Sequence, residues 1–368
     1  HVAATRGDAD TLLFEGMMGL FDGDNDGRGS TAAIAGVLGA PVIAVLDCWA
    51  ASQTAAAVAL GLRDFDPRIR LAGVVLNRVG GEGHEAAVRN ACESAGIRVL
   101  FAVPNDPKFS AADRLLGLDP QAVERRAEAV EELARTIASR LDVRTTFAGA
   151  PAPRASGAPG TRARAVRIAY AHDDAFWFTY PETLDALRLA GAEPVPFSPL
   201  HDAALPPQTR GLWIGGGYPE NYGPELTANA PLRGAIAAAV AQGLPTYAEC
   251  GGMMYLAETL ETPSGRFEMV GALRGGTSML QPRLHLGYRV ATTLADTPLD
   301  PAGTSVRGYE FHYASASLGE PVAAYAYDDH PDGVSRPHVL AAFLHRHFLP
   351  GDPSIARFVA ACAAKETP

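Results

Sequence analysis

Cysteine is scarce in this sequence, with four residues in a chain of 368. They are Cys48, Cys92, Cys250 and Cys362, and their spacing matches neither a metal-binding motif nor a disulfide framework. The pattern therefore excludes a disulfide-stabilised secreted domain and a cysteine-ligated metal centre. Because unpaired cysteines are typical of a reducing compartment, we expect a cytoplasmic protein.

Long apolar runs and excess positive charge are also missing. No stretch reaches the length of a membrane span, and the first residues lack a signal-peptide pattern, so we expect no membrane partner. The formal net charge of −10 argues against nucleic acid as the main partner. The content of 47% hydrophobic and 20% charged residues is typical of a soluble globular chain, and its length is sufficient for two domains.

The stretch 243–256 contains the strongest candidate for a reactive side chain. It predicts a short buried strand, a sharp turn at Cys250 and a helix that begins just after it. At such a corner the helix dipole and the next backbone N–H groups face the thiol, activate it as a nucleophile and can hold an oxyanion. Gly251 and Gly252 fit because the turn leaves no room for Cβ atoms. The alternative at this stage is a buried structural cysteine.

Two other segments favour the reactive interpretation. Residues 212–217 predict an apolar strand that ends in a glycine turn, and the N–H groups of Gly216 and Gly217 could complete an oxyanion hole. Near the end of the chain, His345 and His347 lie on a strand-like segment, so one of them could serve as a base.

Cysteine, glycine turn and late histidine, in this order, resemble the class I (triad-type) glutamine amidotransferase domain. The sequence of residues 247–256 is Tyr-Ala-Glu-Cys-Gly-Gly-Met-Met-Tyr-Leu. It is similar to the corresponding segment of the corrinoid-pathway subgroup of this domain, the cobyrinate and hydrogenobyrinate a,c-diamide synthases. The resemblance implies that Cys250 attacks the glutamine amide and that His345 supplies acid–base catalysis. It places the oxyanion and glutamine site at Gly216, Gly217 and Gly251.

Two positions depart from related patterns. The glutamate usual in the class I domain two residues after the histidine is His347 here, as in the corrinoid subgroup, so the resemblance implies a Cys–His dyad. Residues 308–313 match a further family pattern, Gly-His-Glu-Phe-His-Tyr, except that Tyr309 replaces the first histidine.

Acidic residues near the beginning of the chain suggest a metal site. Residues 11–14 predict a buried strand that delivers Glu15 at its carboxyl end, and Asp22 follows in the next loop. A carboxylate at that place can bind Mg²⁺, whereas the alternative is a solvated loop. The segment is similar to the Glu-Gly-x-Met-Gly-x-x-Asp-Gly signature of the diamide synthases. This resemblance implies Glu15 near the metal and Asp22 near the substrate carboxylate that is amidated.

The next two predicted strands, 41–47 and 71–78, have polar residues at their carboxyl ends. Asp47 is expected to join Glu15 at the nucleotide–metal site. Asn77 suits an adenine edge because an amide offers a donor and an acceptor together. The resemblance to dethiobiotin synthetase-like ligases implies the same role for Asn77.

A phosphate-binding loop of the form Gly-x-x-x-x-Gly-Lys-Ser/Thr is absent from the chain. The diamide synthases carry this loop ahead of the acidic signature, so in this numbering it would precede His1. We therefore expect a truncated chain rather than a loss of ATP use. We also expect weak ATP binding from the chain as given, because the other residues cannot replace the loop.

The sequence predicts an α/β protein with two doubly wound domains. Residues 1–143 are expected to form an N-terminally incomplete P-loop NTPase-like amidoligase domain, 144–163 a linker, and 164–368 a glutamine amidotransferase-like domain. The resemblance implies ATP, Mg²⁺, glutamine and a tetrapyrrole carboxylate as ligands. The sequence does not decide the assembly, for which a homodimer is one alternative. Two alternatives stay open: a nickel-sirohydrochlorin a,c-diamide synthase, and a non-amidating binding or redox protein on the same fold.

Overall fold

A computed structural model describes residues 11–24, 26–109, 127–140, 165–319, 322–327 and 330–364. Contacts divide the chain into two compact units, His1–Ser156 and Gly157–Pro368. The expected linker, 144–163, lies outside the described residues. Within the described ranges, no helix is both long enough and apolar enough to cross a membrane.

The first unit contains a three-stranded parallel sheet with the order β1-β2-β3. Its elements are α1 Thr31–Leu38, β1 Val42–Asp47, α2 Gln53–Asp64, β2 Leu71–Val79, α3 Glu82–Ser94, β3 Val99–Pro104, a 3₁₀ turn Pro107–Phe109 and α4 Ala127–Arg140. Ser30 caps α1, because its hydroxyl accepts a hydrogen bond from the Ala33 N–H at 3.1 Å. Buried residues of β2, including Val74 and Leu76, pack with apolar residues of α2 and α3.

The prediction of a buried strand at 11–14 is wrong. These residues form no strand, and the side chains of Leu13 and Phe14 are 83% and 48% exposed. An apolar run forms a strand only where a neighbouring strand accepts its backbone hydrogen bonds. In the described part of the chain, residues 11–14 have no such neighbour.

The second unit is organised by a six-stranded sheet with the order β16-β17-β7-β6-β4-β5. Neighbouring strands are parallel from β17 to β5, and β16 is an antiparallel edge. The elements up to the cysteine are β4 Val166–Ala171, α5 Pro181–Leu189, β5 Ala192–Phe197, β6 Gly211–Ile214, a 3₁₀ turn Pro219–Asn221, α6 Gly223–Ala228, α7 Ala230–Ala241 and β7 Thr246–Glu249. This alternation confirms the predicted α/β class.

Two further four-stranded sheets, β13-β10-β8-β9 and β12-β11-β14-β15, follow the cysteine and were not predicted. The elements are α8 Gly251–Leu256, β8 Thr259–Thr262, β9 Gly265–Glu268, β10 Gly275–Ser278, β11 His285–Thr293, β12 Ser305–His312, β13 Ser315–Leu318, β14 Tyr325–Tyr327, β15 His330–Asp332, β16 Val334–Arg336, β17 Val339–Ala342 and α9 Pro353–Ala364. In the β11–β12 hairpin, strand β12 lies next to the Cys250 thiol.

The core of the second unit fixes strand β7 in place. All four residues of β7 are buried, as expected for a central parallel strand covered on both faces. The Tyr247 ring lies 4.2 Å from the ring of Trp213 and 5.8 Å from the ring of Phe348, measured between centroids. This packing holds the residues that end β7 at a defined position.

Candidate active site

Cys250 lies at a strained corner between β7 and α8. Its backbone has φ 50° and ψ −110°, a left-handed conformation that residues with a Cβ atom rarely adopt. A Cβ atom at Gly251 would lie 2.6 Å from the Gly217 carbonyl oxygen, and one at Gly252 would lie 2.3 Å from the Ile214 carbonyl oxygen. The two glycines are therefore required by close backbone contacts, as the sequence predicts.

The strain at Cys250 gives a stability prediction. Cys250→Gly should be more stable than Cys250→Ala by about 1–3 kcal/mol, because glycine adopts a positive φ without steric cost. Chemical denaturation of both variants measures the difference. Equal stabilities would show that the corner is not strained.

His345 follows β17, and its imidazole interacts electrostatically with the Cys250 thiol. The imidazole is 8% exposed and packs edge-on against the Phe178 ring, with centroids 5.4 Å apart. Burial opposes the charged form, but the interactions with Cys250 and Glu249 outweigh it and raise the pKa of His345 well above its ordinary value. The structure thus brings together the predicted nucleophile and the predicted base.

Strand β12 supports both of these residues through its backbone. The Tyr309 N–H donates to the His345 carbonyl at 2.9 Å, and the His345 N–H donates back to the Tyr309 carbonyl at 2.8 Å. The Cys250 thiol lies 3.7 Å from the Phe311 carbonyl oxygen. No sequence pattern predicts these contacts, because they are made by backbone atoms.

A carboxylate that the sequence analysis did not assign lies beside the histidine. Glu249 Oε1 is 3.4 Å from His345 Nδ1, and the Tyr247 hydroxyl donates to Glu249 Oε2 at 2.7 Å. The structure therefore differs from the expected Cys–His dyad. His347 lies elsewhere: its side chain is 47% exposed, and its Nε2 is 3.8 Å from Glu182 Oε2.

The glycine turn faces the histidine, since a Cβ atom at Gly216 would lie 3.0 Å from His345 Cε1. The expected oxyanion role of Gly216 needs correction, because its N–H already donates to the Phe178 carbonyl at 3.1 Å. Among the described residues, the N–H groups of Gly217 and Gly251 have no hydrogen-bond partner. These two groups stay available for an oxyanion.

In the first unit, Asp47 and Asn77 are paired across the parallel strands β1 and β2. The Asp47 carboxylate accepts a hydrogen bond from Arg78 Nε at 2.8 Å and another from the Trp49 N–H at 3.0 Å. The Arg78 bond is the main reason that the pKa of Asp47 is lowered. A cleft of about 400 Å³ lies beside them and is lined by Trp49, Ser52, Arg78 and His84, among others. This edge of the sheet has the volume and polar groups for a small ligand.

Glu15 and Asp22 are both exposed in the same unit. Asp22 Oδ2 accepts a hydrogen bond from the Gly19 N–H at 3.1 Å. No contact between described residues joins either carboxylate to Asp47 or Asn77. The carboxylates of Glu15 and Asp47 fit Mg²⁺ by donor type, since Mg²⁺ prefers carboxylate oxygens. Asp47 is paired with Arg78, so metal binding there would displace the arginine.

A second polar cluster, His285, Glu310 and His312, has ligand atoms within 4.8 Å of one another. The Glu310 oxygens are already bonded to His312 Nε2 at 3.0 Å, Arg289 Nε at 2.8 Å and the Tyr327 hydroxyl at 3.2 Å. Burial would raise the pKa of Glu310, but the bonds from His312 and Arg289 outweigh it and lower this pKa to about 2. The two imidazoles are stacked within 3° of parallel, so their in-plane lone pairs do not converge on one ion. The cluster fits a buried ion-pair network.

Residues 167–353 match the family of CobB/CobQ-like glutamine amidotransferase domains. The chain is 40% identical to the hydrogenobyrinate a,c-diamide synthase of Thermobifida fusca, across 99% of this chain and 82% of that protein. It is 40% identical to the cobyrinate a,c-diamide synthase of Syntrophotalea carbinolica, across 98% and 83%, and 37% identical to that of a Synechococcus strain, across 96% and 81%. These similarities agree with the cysteine, histidine and glycines of the site. The chain therefore belongs to the cobyrinate and hydrogenobyrinate a,c-diamide synthase family.

Proposed function

We propose that this protein uses glutamine and ATP to convert the a and c carboxylates of a corrin-ring precursor, cobyrinate or hydrogenobyrinate, into amides. The observation that carries the proposal is the contact between Cys250 at its strained corner and the buried His345. The names of the relatives support the substrate class and the amidating reaction. ATP and Mg²⁺ as cofactors, a homodimer as the assembly and the cytoplasm as the compartment belong to the same proposal through the family resemblance.

In the glutaminase half-reaction, the Cys250 thiol transfers its proton to His345 and its sulfur attacks the side-chain carbonyl carbon of glutamine. The oxyanion that forms is placed to accept hydrogen bonds from the Gly217 and Gly251 N–H groups. His345 returns the proton to the leaving nitrogen, so ammonia departs and a thioester remains on Cys250. Water then attacks the thioester with His345 as base, which releases glutamate and restores the thiol.

In the synthetase half-reaction, residues of the first unit would hold the nucleotide and the metal. Glu15 and Asp47 would provide carboxylate oxygens for Mg²⁺, and Asn77 would bind the adenine edge. ATP·Mg²⁺ would supply the phosphoryl group that converts a substrate carboxylate into an acyl phosphate, and attack of ammonia on the acyl carbon would then release phosphate. Asp22 would contact that carboxylate.

The test is incubation of the protein, in a form that includes the phosphate-binding loop expected from the family resemblance, with glutamine, ATP·Mg²⁺ and either cobyrinate or hydrogenobyrinate, followed by mass spectrometry of the macrocycle. Two carboxyl-to-amide conversions, with glutamate released, are the expected result. Conversion of nickel-sirohydrochlorin, with neither cobyrinate nor hydrogenobyrinate converted, would identify the alternative activity, that of a nickel-sirohydrochlorin a,c-diamide synthase. No glutamine hydrolysis and no ATP dependence would support a non-amidating protein and overturn the proposal.

The acidic residues of the first unit allow the two half-reactions to be separated. Glu15→Gln and Asp22→Asn should slow amidation by about 10–100-fold, the range for the loss of groups around a metal. Glutamine hydrolysis should be unchanged, because it occurs in the other unit. Both rates are measured on the same preparations.

Asp26→Asn is the matched control, because Asp26 lies in the same loop and forms an exposed ion pair with Arg28. It should change neither rate. Equal losses of hydrolysis and amidation in the Glu15 and Asp22 variants would refute the assignment of these residues to the synthetase site.

A further inference from the structure

We propose that Glu249, the residue directly before the nucleophile, positions His345 and stabilises its imidazolium during glutamine hydrolysis. The acidic partner of the histidine would then come from strand β7 rather than from the residues that follow the histidine. This inference rests on the proposed glutaminase function, and it adds a positioning residue to that site.

Strand register explains why Glu249 reaches the histidine. Glu249 ends β7 and is paired with Ala342, which ends the parallel neighbour β17. The chain that leaves β17 carries His345 three residues later, at the same edge of the sheet. Cys250 and His345 therefore meet beyond the strand ends, and the Glu249 side chain lies next to them. Its Oε1 is 3.4 Å from His345 Nδ1.

The contacts of Glu249 hold its carboxylate in one orientation. The Tyr247 hydroxyl, two residues earlier on the same face of β7, donates to Oε2 at 2.7 Å. The Arg346 N–H donates to the same oxygen at 3.4 Å. Glu249 is 4% exposed, and a buried carboxylate is tolerated only where hydrogen bonds and charge compensate it. The two hydrogen bonds supply part of this compensation, and the imidazolium that forms when His345 takes the thiol proton supplies the opposite charge.

The charged groups around His345 leave Glu249 as its acidic partner. Cys250 faces the ring from the corner, Glu249 faces it from β7, and Phe178 packs against its edge. Tyr309 of β12 exchanges hydrogen bonds with the His345 backbone. The Arg346 guanidinium is turned to Asp300 and Ser354. In the described ranges, no other carboxylate contacts the His345 ring.

The contact assigns the proton of the neutral imidazole to Nδ1. With Nδ1–H directed at Glu249, Nε2 carries the lone pair and can accept the thiol proton. The positive charge that then forms on the ring lies beside the Glu249 carboxylate. The same arrangement orients the ring when it returns the proton to ammonia. An acidic residue that orients a catalytic histidine can contribute up to about 10⁴-fold to the rate.

The test is Glu249→Gln in the full chain, which keeps the size of the side chain and removes its charge. We expect kcat for glutamine hydrolysis to fall on the order of 10²-fold with little change in KM. The limb of the pH–rate profile that titrates His345 should move to lower pH, because the neighbouring negative charge is lost. A variant with the wild-type rate and profile would overturn the inference.

Asp332→Asn is the matched control for the loss of a buried carboxylate. Asp332 accepts hydrogen bonds from the Phe343 and Leu344 N–H groups and does not contact the His345 ring. We expect this control to lower the thermal unfolding temperature and to leave the His345 limb in place. If the Glu249 variant also leaves the limb in place, its role is structural and the inference is wrong. Glu249→Asp, which keeps the charge, should have activity between wild type and the glutamine variant.

A second measurement separates this inference from the proposed function. Alkylation of Cys250 by iodoacetamide requires no glutamine and reports the reactivity of the thiol beside His345. At mildly acidic pH, Glu249→Gln should slow it by about 10-fold, because the His345 imidazolium that promotes thiolate formation loses its carboxylate partner. If the wild-type protein hydrolyses no glutamine, the proposed function fails. An unchanged alkylation rate in the variant overturns the role of Glu249 in either case.

Discussion

In a protein that includes the phosphate-binding loop, we expect Cys250→Ala to abolish glutamine-dependent amidation and to leave amidation from added ammonia intact. Alanine has no nucleophile, so the thioester cannot form and glutamine is not hydrolysed. Cys250 lies in the second unit, whereas the residues proposed for ATP lie in the first. The measurement is formation of the diamide with glutamine and, separately, with a high concentration of ammonium salt.

Cys362→Ala is a suitable control, because Cys362 is a buried cysteine of the same unit and belongs to its apolar core. It should lower stability, since a buried side chain is shortened, and keep glutamine-dependent amidation. Loss of the ammonia-dependent reaction in a folded Cys250→Ala protein would refute the assignment of glutamine hydrolysis and amidation to separate sites.

The second large effect is expected at the base. His345→Asn should reduce glutamine hydrolysis by about 10²–10⁴-fold, the contribution of a positioned general base. Asparagine can keep a hydrogen bond to Glu249 but cannot accept and return the thiol proton. The release of glutamate over time measures the rate directly.

His347→Asn provides the comparison at a neighbouring histidine. His347 is half-exposed and contacts Glu182 and the Tyr180 ring, so its replacement should change the rate far less. If His347→Asn caused the larger loss, the base would be His347, and the arrangement around His345 would have another purpose.

The corner at Cys250 could be predicted because it leaves a local pattern in the sequence. The turn needs small residues at fixed places, and Gly251 and Gly252 meet that need directly after the cysteine. The role of Glu249 could not be predicted in this way. It depends on the pairing of Glu249 with Ala342, which are distant in the sequence, and no local rule gives the register of distant parallel strands.

The beginning of the chain shows the opposite error. An apolar run at 11–14 has the composition of a buried strand, yet Leu13 is 83% exposed. Composition reports that a segment can be buried, whereas burial depends on a partner that covers it. For the same reason the sequence predicts Glu15 at the end of a strand, whereas residues 11–14 form no strand in the structure.

Strand β12 contacts both residues that we propose for glutamine hydrolysis, Cys250 and His345. It exchanges backbone hydrogen bonds with His345 and approaches the Cys250 thiol, while its own sheet partner is β11, outside the six-stranded sheet. A displacement of the β11–β12 hairpin would therefore move base and nucleophile relative to each other. A ligand that prefers one position of this hairpin would change the rate of glutamine hydrolysis without contacting either residue. Amide hydrogen exchange would detect such a motion as a joint loss of protection at Tyr309 and His345.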